Sequence, residues 1–132
     1  MDQVPVIDRE TINMLREMDA VTEDGDLILE LVDEFLTHST MLVTEIKMYA
    51  QQNVAEKLAT TAHSLKGACL NIGALVLFQV CDRIEEMARN QDLVETKAQL
   101  ATLNDAFLTT TKTLTELRER TSRGESIEHL LG

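Results

Sequence analysis

Leu58, Ala62, Leu65, Cys69 and Ile72 recur at steps of three and four residues, and comparable apolar stripes run through most of the chain. Each α-helical residue turns the side-chain direction by about 100°, so such steps gather apolar side chains on one face. The pattern predicts five helical segments. A short first helix over about 8–18 begins behind Asp8, which can cap it. A long second helix over about 26–52 follows the break at Glu23-Asp-Gly-Asp26, which places acids at its start. Its stripe is read as Leu27, Leu31, Phe35, Leu42, Ile46 and Tyr49. The third helix, about 54–71, ends at Asn71-Ile-Gly73, a C-cap and tight turn. The fourth, about 74–90, buries Leu77, Cys81, Ile84 and Ala88. After the polar Asn90-Gln-Asp92, a fifth helix over about 92–121 repeats Leu93, Leu100, Leu103, Phe107, Leu114 and Leu117 near the period of bundle seams.

Short connections between long amphipathic helices favour antiparallel neighbours. The expected fold is all-α: an antiparallel up-down-up-down four-helix bundle over residues 8–121, with the short N-terminal helix as a lid. Residues 1–7 read as an N-terminal tail and 122–132 as a flexible C-terminal tail. Met1 and the short tail suggest an independent protein rather than a part cut from a larger kinase.

Composition narrows the function more than the fold. A chain of 132 residues suits one domain, and its aromatics amount to three Phe and one Tyr, so the core must be aliphatic. The charge balance of 12 − 23 = −11 argues against nucleic acid and against an anionic membrane surface, both of which call for Lys and Arg. No apolar run reaches the roughly 18–20 residues that span a bilayer, and the polar start is no signal peptide. Cys69 and Cys81 lack metal-type spacing and fall on apolar faces, which reads as buried free thiols. The expectation is a cytoplasmic monomer.

One residue does not fit the core pattern. His63 points roughly 140° away from the centre of its helix's apolar stripe, towards solvent. Lys66 and Gly67 follow at three and four residues, its nearest neighbours along the helix surface. An exposed imidazole beside a cation and a bare stretch of backbone suits a nucleophile that takes up an anion. Glycine inside a helix costs about 1 kcal/mol relative to alanine, so Gly67 needs a reason. Access to the ring and close packing of a neighbouring helix are the two candidates. Glu85 lies on the flank of the fourth helix's stripe, an awkward place for a carboxylate. Either it faces His63 and fixes the tautomer of its ring, or it is a boundary residue paired with an arginine.

The run His63-Ser-Leu-Lys66-Gly67-Ala-Cys-Leu-Asn-Ile-Gly73-Ala74, with Val80-Cys81-Asp-Arg-Ile84-Glu85 on the next helix, resembles the signature of histidine-containing phosphotransfer (HPt) domains. The resemblance extends over about residues 8–120. Cys69 and the bulkier Leu70 stand where small residues are usual. The resemblance implies that His63 accepts a phosphoryl group from the aspartyl phosphate of a receiver domain, as in a hybrid sensor histidine kinase, and passes it to a downstream response regulator. Lys66 would then hydrogen-bond the phosphoryl oxygens, and Gly67 would leave room for a receiver loop. No nucleotide or metal site of its own is expected; any Mg²⁺ would come with the receiver. Ala59 and Leu70 are expected to form an apolar docking rim around His63.

Met14, Leu15 and Met18 either extend that rim or lid the core. His38 is expected at the core margin with a satisfied hydrogen bond, and His129 carries no signal. The rival reading is a helical adaptor that binds response regulators without being phosphorylated, against which an intact His63 speaks. A metal- or cofactor-binding helical enzyme would need inward-facing ligands that the spacing does not provide.

Overall fold

A computed structural model describes residues 4–21 and 27–132. Its helices are α1 (Arg9–Ala20), α2 (Leu27–Gln52), α3 (Ala55–Ile72), α4 (Leu75–Arg89), α5 (Leu93–Ala98) and α6 (Leu100–Ser122). Helices α2, α3, α4 and α6 pack as a ring, each against the next, and α1 lies across α2 and α3. This is the expected antiparallel bundle with its N-terminal lid. Among the described residues, no helix is long and apolar enough to cross a membrane.

The α3–α4 hairpin positions the site. Each predicted position on its two stripes is buried: Leu58, Ala62, Leu65, Cys69 and Ile72 on α3, and Leu77, Cys81, Ile84 and Ala88 on α4. Gly73 ends α3 in the left-handed region, at φ 78°. A side chain there would also press on the first helix, since a Cβ would lie 2.9 Å from Thr11 Cβ. The Asp8 N–H donates to the Gly73 carbonyl, and the Leu75 N–H to that of Val6. The N-terminal segment is thereby bonded to the turn. Asp8 caps α1 as expected, accepting from the Thr11 backbone N–H and hydroxyl.

Three elements depart from expectation: α2, the fifth helix and the C-terminal segment. The buried face of α2 is rotated by roughly 60° from the predicted stripe, comprising Ile28, Val32, Phe35, Ser39, Leu42, Val43, Ile46 and Ala50. Leu27, Leu31 and Tyr49 are only half-buried, because α2 is shared between α1 and α3 on one side and α6 on the other. The acidic break at 23–26 lies outside the described residues. Asp19 of α1 accepts from the Leu27 N–H at 2.8 Å, so a carboxylate does serve the start of α2. The single fifth helix is interrupted at Gln99, and Thr96 rather than Leu93 is the fully buried residue of α5.

The C-terminal segment, read as loosely held, packs back on the bundle. Ile127 and Leu131 are buried, the Gly132 N–H donates to the Ile7 carbonyl, and Glu128 pairs with Arg9 and Arg16. Ile127 and Leu131, with Leu130 partly buried beside them, carry this docking.

Candidate functional site

His63 lies mid-helix on α3 with its side chain 62% exposed. The ring is nonetheless anchored. Its Nδ1 lies 3.0 Å from Oε2 of Glu85, which projects from α4 and is only 7% exposed. Both sequence readings of Glu85 hold together, because Arg89, one turn further along α4, also bonds Oε2 through Nε at 3.0 Å and Nη2 at 2.5 Å. Lys66 approaches from α3, with Nζ 2.7 Å from Oε1 of Glu85 and 3.2 Å from Asp82. One nearly buried carboxylate thus gathers an imidazole, an ammonium and a guanidinium.

Burial pushes the Glu85 carboxyl upward, but hydrogen bonds from Lys66, Arg89 and His63 outweigh it and bring its pKa down to about 2. Glu85 is therefore ionised at neutral pH and accepts only, so His63 Nδ1 must carry the proton it donates. In the neutral ring, Nε2 is then the nitrogen with a free lone pair. Hydrogen bonds to Glu85 and then Asp82 hold the Lys66 ammonium above its usual range.

Around the α3 axis, Ala59, Lys66 and Leu70 lie within about 60° of His63 on one side. Gly67, Thr60 and Ser64 lie on the other. The first side faces α4, and the second is open. A Cβ at Gly67 would meet nothing within 4 Å, so close packing inside the molecule does not account for this glycine. Leu70, two turns from His63, is 54% exposed, as a docking residue requires. Ala59 corrects the expectation, being buried. It lines a groove between α3 and α4 with Glu56, Thr60, Ala88 and Arg89, because α4 covers the helix one turn before His63.

Of the first-helix residues, Leu15 is buried as a lid, whereas Met14 and Met18 stay about half exposed. His38 is another correction. It is exposed and makes no hydrogen bond among the described residues, at the edge of a groove with Phe35, Ala68 and Ile72. His129 pairs with Glu116, away from the site. Cys69 and Cys81 are free and buried; the adjacent Cys81 thiol, then burial, push the Cys69 thiol up. Arg89 and Asp82 were not singled out from the sequence. Arg89 had a signal, since a Glu followed four residues later by Arg is a favoured helix pair.

The sequence matches the family model described as Hpt domain over residues 30–121. The chain belongs to the Hpt family. It is a histidine-phosphotransfer intermediate of a phosphorelay. Among solved structures, it resembles histidine-containing phosphotransfer protein B (HptB) from Pseudomonas aeruginosa PAO1, at 26% identity and a TM-score of 0.79. That match covers 89% of this chain and 98% of the other. The histidine-containing phosphotransfer protein ZmHP2 from maize shares the Hpt fold at a TM-score of 0.75 and 16% identity, over 88% of each chain. A search of curated proteins gave no match.

Proposed function

We propose that His63 is the phosphoacceptor of this Hpt domain. Its Nε2 lone pair attacks the phosphorus of a receiver-domain aspartyl phosphate, such as that of a hybrid sensor histidine kinase. The P–O bond breaks and its electron pair leaves with the aspartate carboxylate. A downstream response regulator then takes the phosphoryl group by the reverse chemistry. The observation that carries this reading is an exposed ring whose inner nitrogen is tied to a buried, ionised carboxylate. That tie orients the ring, fixes its tautomer and leaves the lone pair on the other nitrogen, Nε2.

Phosphoryl transfer depends on in-line positioning and on balancing charge at the equatorial oxygens. Lys66 is the nearest ammonium for those oxygens, and swinging from Asp82 towards the phosphoryl group would exchange one anion for another. Gly67 leaves space for the receiver loop, and Leu70 offers an apolar contact on the same face. The acid cluster and any Mg²⁺ belong to the receiver, so this chain acts as a carrier, as a monomer in the cytoplasm.

Incubation with a phosphorylated receiver should give an acid-labile, base-stable adduct on the wild type and none on His63→Gln. Equal labelling of the two would place the phosphoacceptor elsewhere. Receiver binding without any labelling of the wild type would favour the adaptor reading.

A further inference from the structure

The bond between His63 Nδ1 and Glu85 has a consequence for the return step, given His63 as phosphoacceptor. When Nε2 attacks phosphorus while Nδ1 keeps its proton, the product is an N-phosphoryl imidazolium, a ring with a formal positive charge. Donation reverses the electron flow. The incoming carboxylate oxygen forms a bond to phosphorus, the Nε2–P bond breaks, and its electron pair returns to Nε2. The departing group is then neutral imidazole. Had the Nδ1 proton been lost meanwhile, the departing group would be an imidazolate anion, a far poorer one. Keeping that proton therefore keeps the phosphoryl group transferable.

We infer that Glu85 is the counter-ion of the phosphorylated His63 ring, holding the Nδ1 proton in place so that the phosphoryl group stays ready to leave. A carboxylate suits this task in two ways. It can only accept, so it cannot turn and donate to a deprotonated Nδ1, as the amide of a glutamine could. Its negative charge, 3.0 Å from the ring nitrogen on a carboxylate that is itself nearly buried, also favours the cationic ring. Of the charged groups around the ring, Glu85 bonds it directly, Lys66 from α3 and Arg89 from α4 pair with Glu85, and Asp82 from α4 pairs with Lys66. Two anions and two cations balance before phosphorylation, so Glu85 is not overwhelmed by either sign. Arg89 bonds the same Oε2 as the imidazole and competes with it for that oxygen's charge.

The test measures loss of the phosphoryl group across pH. Wild type, Glu85→Gln and Arg89→Met are each labelled from the same phosphorylated receiver and purified. Hydrolysis of the isolated adduct and transfer to fresh receiver are then followed from about pH 6 to 10. Glu85→Gln should still label on His63, but the pH above which donation falls should move down by about one unit or more. Arg89→Met, which frees the carboxylate for the ring, should move the same fall-off upward. Coincident Glu85→Gln and wild-type profiles would overturn the inference. So would a downward shift shared by both variants, which would mean that the network acts only as structural support. If Glu85→Gln does not fold, the direction of the Arg89→Met shift alone decides. Failure of the wild type to label would remove the phosphoacceptor reading first.

Discussion

Replacing Gly67 with alanine should make the fold more stable and the protein worse at its task. Gly67 lies inside α3, exposed, and an added methyl meets no atom within 4 Å. The helix then gains the full difference in propensity between the two residues, about 1 kcal/mol. For a domain of this size, that corresponds to a rise in melting temperature of roughly 3–5 °C. The same methyl projects about 40° around the helix from His63, into the space a docking receiver must occupy. Crowding a close-packed contact by one methyl costs about 1–3 kcal/mol. The expected loss in phosphoryl-transfer rate is therefore about 5- to 150-fold, since 1.4 kcal/mol is a factor of ten. Thermal denaturation followed by circular dichroism reads the first effect, and rapid-quench transfer from a phosphorylated receiver reads the second. A lower melting temperature would mean that the glycine serves internal packing after all. A more stable variant with an undiminished rate would show that receivers do not approach over position 67.

Lys66→Ala should fold normally yet load more slowly, on the order of 100-fold, because a charge-assisted contact to the phosphoryl oxygens is gone; unchanged single-turnover loading would dismiss the role. Glu85 has a depressed pKa, so the stability its partners supply is present above its usual value of 4.5 and is lost as pH falls towards about 2. Wild type should therefore lose on the order of 1–3 kcal/mol across that interval relative to Glu85→Gln, the lower figure allowing for solvent screening at exposed Arg89. Urea titrations at several pH values would check this, and parallel pH dependence in the two proteins would refute it. Ile127→Ala should cost about 2–4 kcal/mol, because Ile127 is fully buried where the C-terminal segment docks. A loss below about 0.5 kcal/mol in a urea titration would mean that the segment is detached in solution.

Much of this was legible in the sequence, and what was not follows a physical rule. Stripes on α3 and α4 were read correctly because the residues of each predicted stripe cluster at the centre of the buried face. The α2 face was misjudged because half-buried apolar residues such as Leu31 and Tyr49 pack at its flank and draw the apparent stripe off the centre of the buried face. Ala59 failed for a related reason. A helical wheel gives a side chain's direction about its own axis, but not which partner helix crosses there, and α4 crosses over Ala59. No glycine or proline marks the interruption at Gln99, and the docked tail rests on three apolar residues, Ile127, Leu130 and Leu131, in a polar stretch.

The site was more legible than the periphery because its residues contradict the pattern around them. A glycine in mid-helix sacrifices about 1 kcal/mol of propensity and fills no internal gap. A carboxylate at the core margin must be desolvated, and it is tolerated only because three partners converge on it. Neither residue is what packing alone would select, and they flank the same imidazole from opposite sides: Gly67 where a partner must enter, Glu85 where the ring must be held. An exposed histidine alone could be an accident of the surface. A histidine set between a glycine that costs the helix stability and a carboxylate that only converging partners make tolerable requires an external reason, and a phosphoryl group delivered by a docking protein supplies one.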